Sequence, residues 1–154
     1  MINNMDVIKR IKSIQRFLET NNLDGFIQPR SDSYLGEYVP LSDSRLEWIS
    51  GFSGSAGEIL ILRNTAILFV DSRYTIQAIN ETINTNIKVV LSSEESLTDY
   101  IENNLKKLKN IAFDPWLHSL SKIKFLLNIG KKNNLIFTSL KQNPIDLIWV
   151  SNRE

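Results

Sequence analysis

Apolar residues return at helical spacing at Val7, Ile8, Ile11, Ile14, Phe17 and Leu18, with Asp6 near the start. The spacing predicts an amphipathic helix ending near Asn21 and Asn22. "DGFIQP" then reads as a short buried strand stopped by Pro29. Residues 30–42 show no period and carry Tyr34, Tyr38 and Pro40. A loop that long in a compact domain is expected to be functional or disordered. Ser42 or Asp43 is expected to cap a short helix, "SRLEWIS", which Gly51 closes. Residues 58–62 and 65–70 are apolar runs separated only by Arg63 and Asn64, which predicts a hairpin. Helical spacing resumes through Tyr74, Ile76, Ala78 and Ile79, with Asp71 or Ser72 as the expected cap.

The second half repeats the alternation. "IKVVL" reads as a strand, and Leu97, Tyr100, Ile101, Leu105 and Leu108 as a helix. "IAFD" is a strand that Pro115 stops. Residues 119–132 form a helix with Leu120, Ile123, Leu126 and Leu127 expected inward, and "LIFTSL" is the last strand. Strands alternating with helices give parallel neighbours, and the hairpin adds an antiparallel pair. The predicted fold is α/β: a mixed, mostly parallel sheet of about six strands with helices on both faces. The expected organisation is a domain over 1–142 and a linker over 143–154 leading toward a further domain. The apolar residues Ile145, Leu147, Ile148 and Trp149 in that tail must pack somewhere.

Composition narrows the chemistry. The chain has 154 residues, with 18 Lys plus Arg against 17 Asp plus Glu. That balance gives no electrostatic basis for nucleic acid or an anionic membrane as partner. No cysteine is present, which removes disulfides and thiolate catalysis. The first residues carry no long apolar run, so neither a signal peptide nor a membrane span is expected there, and a cytoplasmic protein is the simplest reading. A single His, His118, is expected to be an exposed polar residue. No Cys/His cluster has metal-ligand spacing, so no metal site is expected in this chain.

"ISGFSGSAGEILIL" is the densest cluster of small residues. Gly51, Gly54 and Gly57 are spaced G-x-x-G-x-x-G between a helix and a strand, which fails the dinucleotide fingerprint on spacing and on context. A phosphate-binding loop would need a Lys. A nucleophile elbow would need Gly where Ser55 stands. Two readings remain: a tight structural loop through which backbones pass closely, or a loop that also lines a site. Asp71 and Arg73 flank a strand-to-helix corner. Arg73 there either pairs internally, with Asp43 or Glu47 as candidate partners, or grips a substrate or another domain bidentately.

Three motifs in fixed order are more specific than any one of them: "DGFIQPRSDSYLGEYVP", "RLEWISGFSGSAG" and "LFVDSRYTIQA". In this combination the chain resembles the N-terminal domain of the creatinase and aminopeptidase P family, in particular the long, three-domain Xaa-Pro aminopeptidases. The match is strong over residues 24–80 and looser beyond. Tyr34 stands where bacterial relatives often carry His, and Ser72 replaces the Gly of "DGRY". The resemblance implies a ribonuclease H-like fold and a non-catalytic module. That module would border the cleft of a metallopeptidase, limit access to it and support assembly. The parent would cleave the N-terminal Xaa-Pro bond of proline-containing peptides with two divalent metal ions, usually Mn²⁺. Those ions would be held by C-terminal domains absent from this sequence, and a homodimer is expected. The fragment alone would be inactive. Arg73, Tyr74, Asp71, Arg45 and Tyr38 are the implied cleft or interdomain residues, with Gly51, Gly54, Ser55 and Gly57 forming the structural loop. Two other readings stay open: the N-terminal domain of a prolidase or creatinase, and a non-enzymatic peptide- or histone-binding module.

Overall fold

The computed structural model describes residues 2–153. Helix α1 (Asn4–Thr20) starts where the Asn3 side chain accepts from the Met5 amide. Strand β1 (Gly25–Pro29) follows, then an irregular stretch ending in a 3₁₀ turn, and helix α2 (Arg45–Ser50). Strands β2 (Glu58–Leu62) and β3 (Ala66–Val70) form the expected hairpin. Helix α3 (Thr75–Glu81), strand β4 (Ile87–Leu91), helix α4 (Leu97–Asn103) and strand β5 (Asn110–Phe113) come next. They lead to helix α5 (Leu120–Asn133), strand β6 (Ile136–Ser139) and helix α6 (Pro144–Ile148).

The sheet order is β4-β3-β2-β1-β5-β6. β2 is antiparallel to both of its neighbours, and the other pairings are parallel. Five strands therefore point one way and β2 alone runs back. Alternate residues of each strand face opposite helical layers. Phe26, Ile59, Ile61 and Leu68 join the helix residues Ile14, Leu18 and Ile49 on one face. Ile27, Leu60, Ile67 and Phe113 join Ile101 and Leu126 on the other. The tail closes the first of these cores: Ile145 is fully buried, and the Trp149 ring stacks on Trp48 at 5.3 Å.

Local chemistry differs from expectation at several points. Ser42 and Asp43 lie inside the 3₁₀ turn, so Ser44 occupies the cap position of α2 and makes no side-chain cap bond. Helix α3 begins at Thr75, and Asp71 instead accepts from the Arg73 amide at 2.9 Å, closing a turn before the helix. On α3 only Ala78 is buried, while Ile76 and Ile79 face outward. Leu120 and Leu127, expected inward, are exposed, because the buried stripe of α5 is centred on Leu126, Ile129 and Gly130.

Candidate functional site at the carboxyl ends of the strands

The shared direction of five strands gathers their carboxyl ends, and the amino end of β2, at one edge. In open α/β sheets that edge is where ligands bind. It carries the stretch after β1, the glycine loop at 51–57, the corner at 71–74 and the turn at 114–119.

The glycine loop is built around the ring of Phe52, which is buried. Gly51 ends α2 at φ +80°, a conformation a side chain would strain. A Cβ at Gly54 would lie 2.2 Å from the Phe52 ring, and one at Gly57, at φ +154°, would lie 3.3 Å from the Phe69 carbonyl. The Tyr74 ring meets Phe52 edge to face at 5.9 Å, and its hydroxyl bonds the Ser55 hydroxyl. Ser53 donates its hydroxyl to Glu81 at 2.6 Å and accepts from Gln77 at 3.0 Å, which fastens the loop to α3.

Arg73 is two-thirds exposed at this corner. Its fork meets Asp71 at 3.1 and 2.8 Å, and its guanidinium lies over the Tyr74 ring at 5.1 Å. The partner is thus Asp71, two residues away, and neither Asp43 nor Glu47. The hydrogen bonds from Arg73 hold the Asp71 carboxyl below its ordinary range, and Asp71 in turn raises Arg73. Tyr38 and Tyr34 project from the neighbouring stretch, 80% and 88% exposed. That stretch is ordered from beneath. Buried Asp32 accepts from the amides of Tyr34 and Gly36, and the Ser31 hydroxyl donates to the Leu117 carbonyl at 2.6 Å.

Arg45 sits apart from this exposed corner. It is buried, and its Nε and Nη2 donate to Asp146 at 2.8 and 3.1 Å, with Asp43 at 3.7 Å. Asp146 also accepts from Arg153 at 2.7 Å. Behind it, Asn143 donates to Gln28 and to Asp114, both at 3.0 Å, bridging β1 to the end of β5. Asp146, Arg153, Asn143, Gln28 and Glu81 were not among the residues singled out in the sequence. Their long-range partners lie 28 to 115 positions away, and no periodicity signals them.

His118 is buried, against expectation. It lies edge to face with Phe113, and its Nε2 has no hydrogen-bond partner among the described residues. Burial, reinforced by Lys122 and opposed by Asp114, lowers its pKa from 6.5 to about 4. On the same face of the sheet, burial pushes the Glu58 carboxyl up, with Lys122 opposing.

The His118 shift has a measurable consequence. The unfolded chain takes up a proton below 6.5, whereas the folded one resists until about 4. Stability should therefore fall as pH drops through that window, by about 2–3 kcal/mol from this residue. Urea unfolding of the wild type and of His118→Gln tests this. The variant should show a shallower loss, and identical slopes in both proteins would refute the assignment.

Among the described residues, no group of three or more His, Asp or Glu is placed to hold a metal ion. This chain's own residues thus do not fit the metal pair that the sequence resemblance implies. Among the described residues, no helix is long and apolar enough to cross a membrane.

The comparisons with known proteins agree with one another. Residues 10–148 match the Creatinase/Prolidase N-terminal domain. A probable Xaa-Pro aminopeptidase P of Penicillium rubens is 30% identical over 97% of this chain, which covers 25% of that protein. Xaa-Pro aminopeptidase 2 of Mus musculus is 31% identical over 94% of this chain and 21% of its own length. The crystal structure of X-prolyl aminopeptidase from Caenorhabditis elegans superposes with a TM-score of 0.84 at 23% identity. That match covers 99% of this chain and 26% of the nematode chain. The chain thus spans about a quarter of the length of the curated relatives it matches. The α/β sheet, the glycine loop around Phe52 and the matched residues 10–148 place the chain in the creatinase/prolidase N-terminal domain family.

Proposed function

We propose that this chain is the N-terminal, non-catalytic module of an Xaa-Pro aminopeptidase whose remaining domains follow through residues 143–154. The observation that carries the reading is the match to Xaa-Pro aminopeptidases along nearly the whole of this chain and only a quarter of theirs. The parent hydrolyses the bond between an N-terminal residue and proline. That bond is a tertiary amide with no N–H to grip, so its recognition calls for a dedicated, shaped cleft. In our reading the parent's other domains, and no residue of this chain, would hold two divalent ions, Mn²⁺, which would supply Lewis-acid chemistry when bound. The nematode enzyme is described as cytosolic with a di-nuclear active site, which supports the metal pair and a cytoplasmic location. The parent is a homodimer in this reading.

Within this module, the corner Asp71–Arg73–Tyr74, with the 51–57 loop as its support and exposed Tyr38 at the same edge of the sheet, faces the cleft or the catalytic domain. The Arg73 guanidinium is solvent-accessible, and its Nε–Nη2 edge already holds the Asp71 carboxylate, which an incoming carboxylate would have to displace. The isolated chain should release no N-terminal residue from an Xaa-Pro peptide, while the parent should do so with added Mn²⁺. In the parent, Arg73→Lys should lower kcat/KM about tenfold, because an ammonium cannot supply two parallel hydrogen bonds. The melting temperature of the isolated domain should hardly move, because the Asp71 pair is exposed. A parent without Xaa-Pro cleavage refutes the enzymatic reading. A variant that melts early yet keeps full activity per folded molecule makes Arg73 a structural residue.

A further inference from the structure

We infer that the free edge of β6, with the flank of α5 beside it, is a docking groove that takes an extended acidic segment of a separate protein as an added strand. β6 ends the sheet opposite β4, so one side of its backbone pairs with no other strand. Ile136 and Leu140 give their amides to the carbonyls of Lys109 and Phe113. By alternation, Phe137 and Ser139 turn their backbone amides and carbonyls outward. The strand, IFTS, holds no charge, Pro or Gly, and an edge left so open templates pairing. A wall stands beside it. Gly130 packs so closely on the chain entering β6 that a Cβ there would lie 2.5 Å from the Leu135 carbonyl oxygen. Leu120, Ile123 and Leu127 share with Gly130 one flank of α5. β5 and β6 are parallel, and a crossover of this kind is right-handed, so that flank overhangs the free side of β6. This position accounts for the exposure of Leu120 and Leu127, 67% and 48%. On the opposite face of the strand Ile136 is 61% exposed. An added strand would lay alternate side chains on the two leucines and beside Ile136.

Charge selects the occupant. Residues 105–142 carry eight lysines and one acidic residue, Asp114, which is buried and bonded to Asn143. None of those lysines forms an ion pair among the described residues. Lys124 and Lys131 lie on the outer side of the leucine flank, and Lys132 and Lys141 lie beyond the two ends of β6, all exposed. Lysines on an edge strand itself guard it against pairing. Here the strand is uncharged and the lysines form its rim, where they repel a second copy of the same edge and attract carboxylates. A run alternating acidic and apolar residues meets both the rim and the wall. A nucleic acid or an anionic membrane would answer the lysines but could not extend the ladder from Phe137 and Ser139.

The inference stands apart from the peptidase reading. Fluorescence anisotropy tests it, with a labelled peptide alternating Glu and Val titrated with this chain and with the parent. One peptide should bind per chain, more weakly as salt rises. A peptide alternating Glu and Pro, equal in charge but without the amides a ladder needs, should not bind. Ser139→Pro removes an outward amide and spares the ladder to β5. It should weaken binding about tenfold with an unchanged circular dichroism spectrum. Lys124→Glu with Lys131→Glu should also weaken it about tenfold. If Ser139→Pro fails to fold, the proline peptide and the charge variant decide. No binding, equal binding of the two peptides, or indifference to the charge variant overturns the groove. Tighter binding of a single-stranded oligonucleotide or of phosphatidylserine vesicles overturns the acidic strand as its occupant. Binding by this chain but not by the parent overturns the separate partner, because the parent's own domains would then fill the edge.

Discussion

Gly54→Ala is expected to destabilise the domain by about 2–3 kcal/mol, a large effect for one methyl group. The added carbon would fall 2.2, 2.7 and 2.9 Å from three atoms of the Phe52 ring. The ring has little room to retreat: it is 1% exposed, Tyr74 meets it edge to face, and the Gly57 backbone is close enough that a Cβ there would lie 3.2 Å from the ring. In a domain of this size the melting temperature should drop by roughly 5–10 °C. Phe52→Leu removes the ring atoms in question. In that background the Gly54→Ala cost should shrink by on the order of 1 kcal/mol, the coupling expected of residues in contact. Equal costs in both backgrounds would show that the loop gives way elsewhere. Gly57→Val should act separately, by about 1–3 kcal/mol, since φ +154° excludes a β-branched residue.

Asp146→Ala is the second large effect expected, about 2–3 kcal/mol. Asp146 is the common acceptor for Arg45 and Arg153, and its removal leaves the Arg45 guanidinium, only 10% exposed, with no carboxylate nearer than Asp43 at 3.7 Å. The figure lies below that for a fully buried pair because the carboxylate is itself a quarter exposed. Burial alone would raise the Asp146 pKa, but the hydrogen bonds and charge of Arg45, then of Arg153, hold it below its ordinary 3.8. A depressed carboxyl stabilises the fold fully above 3.8 and ceases to do so as pH falls through its folded value. Denaturant unfolding should therefore show wild type and variant converging in acid. A constant gap down to the acid limit would mean that the ion pair is not the source. Asp146→Asn, which keeps the shape without the charge, should recover only part of the loss.

The strands were legible in the sequence because they are buried runs bounded by Pro, Gly and polar residues, and the observed boundaries fall within a residue or two of the expected ones. The three-layer arrangement followed from their alternation with helices. The side-chain contacts that build the site were not legible. Arg45 meets Asp146 across 101 positions, and nothing local distinguishes that Asp from a solvent-facing one. His118 reads as a polar loop residue until the 114–119 turn folds over Phe113. Leu120 carries an inward-looking pattern position, yet it opens the first turn of α5 beyond the sheet's cover. The Arg73 partner was missed for the opposite reason. Asp43 and Glu47 lie on the preceding segment, while a two-residue Asp–Arg turn satisfies the guanidinium locally.

The lone reversed strand also sets the order in which the molecule can assemble. β2 pairs with β3 across a three-residue turn, so that ribbon closes with little loss of chain entropy. β1 joins β2 across the 28 residues between Pro29 and Glu58. The parallel pairing of β1 with β5 ties positions 86 apart, as the Asp24 carboxylate receiving the Asn110 amide illustrates. Contacts of such long separation form late, because loop closure must precede any gain from pairing. The early species is then a three-stranded meander with α1 and α2 on one face and its Leu60, Ile67 and Phe69 face bare until α4 and α5 arrive. Pulse-labelling hydrogen exchange should find the amides of β2 and β3 protected ahead of those of β5 and β6, and that uncovered apolar face is where misassociation during refolding should concentrate.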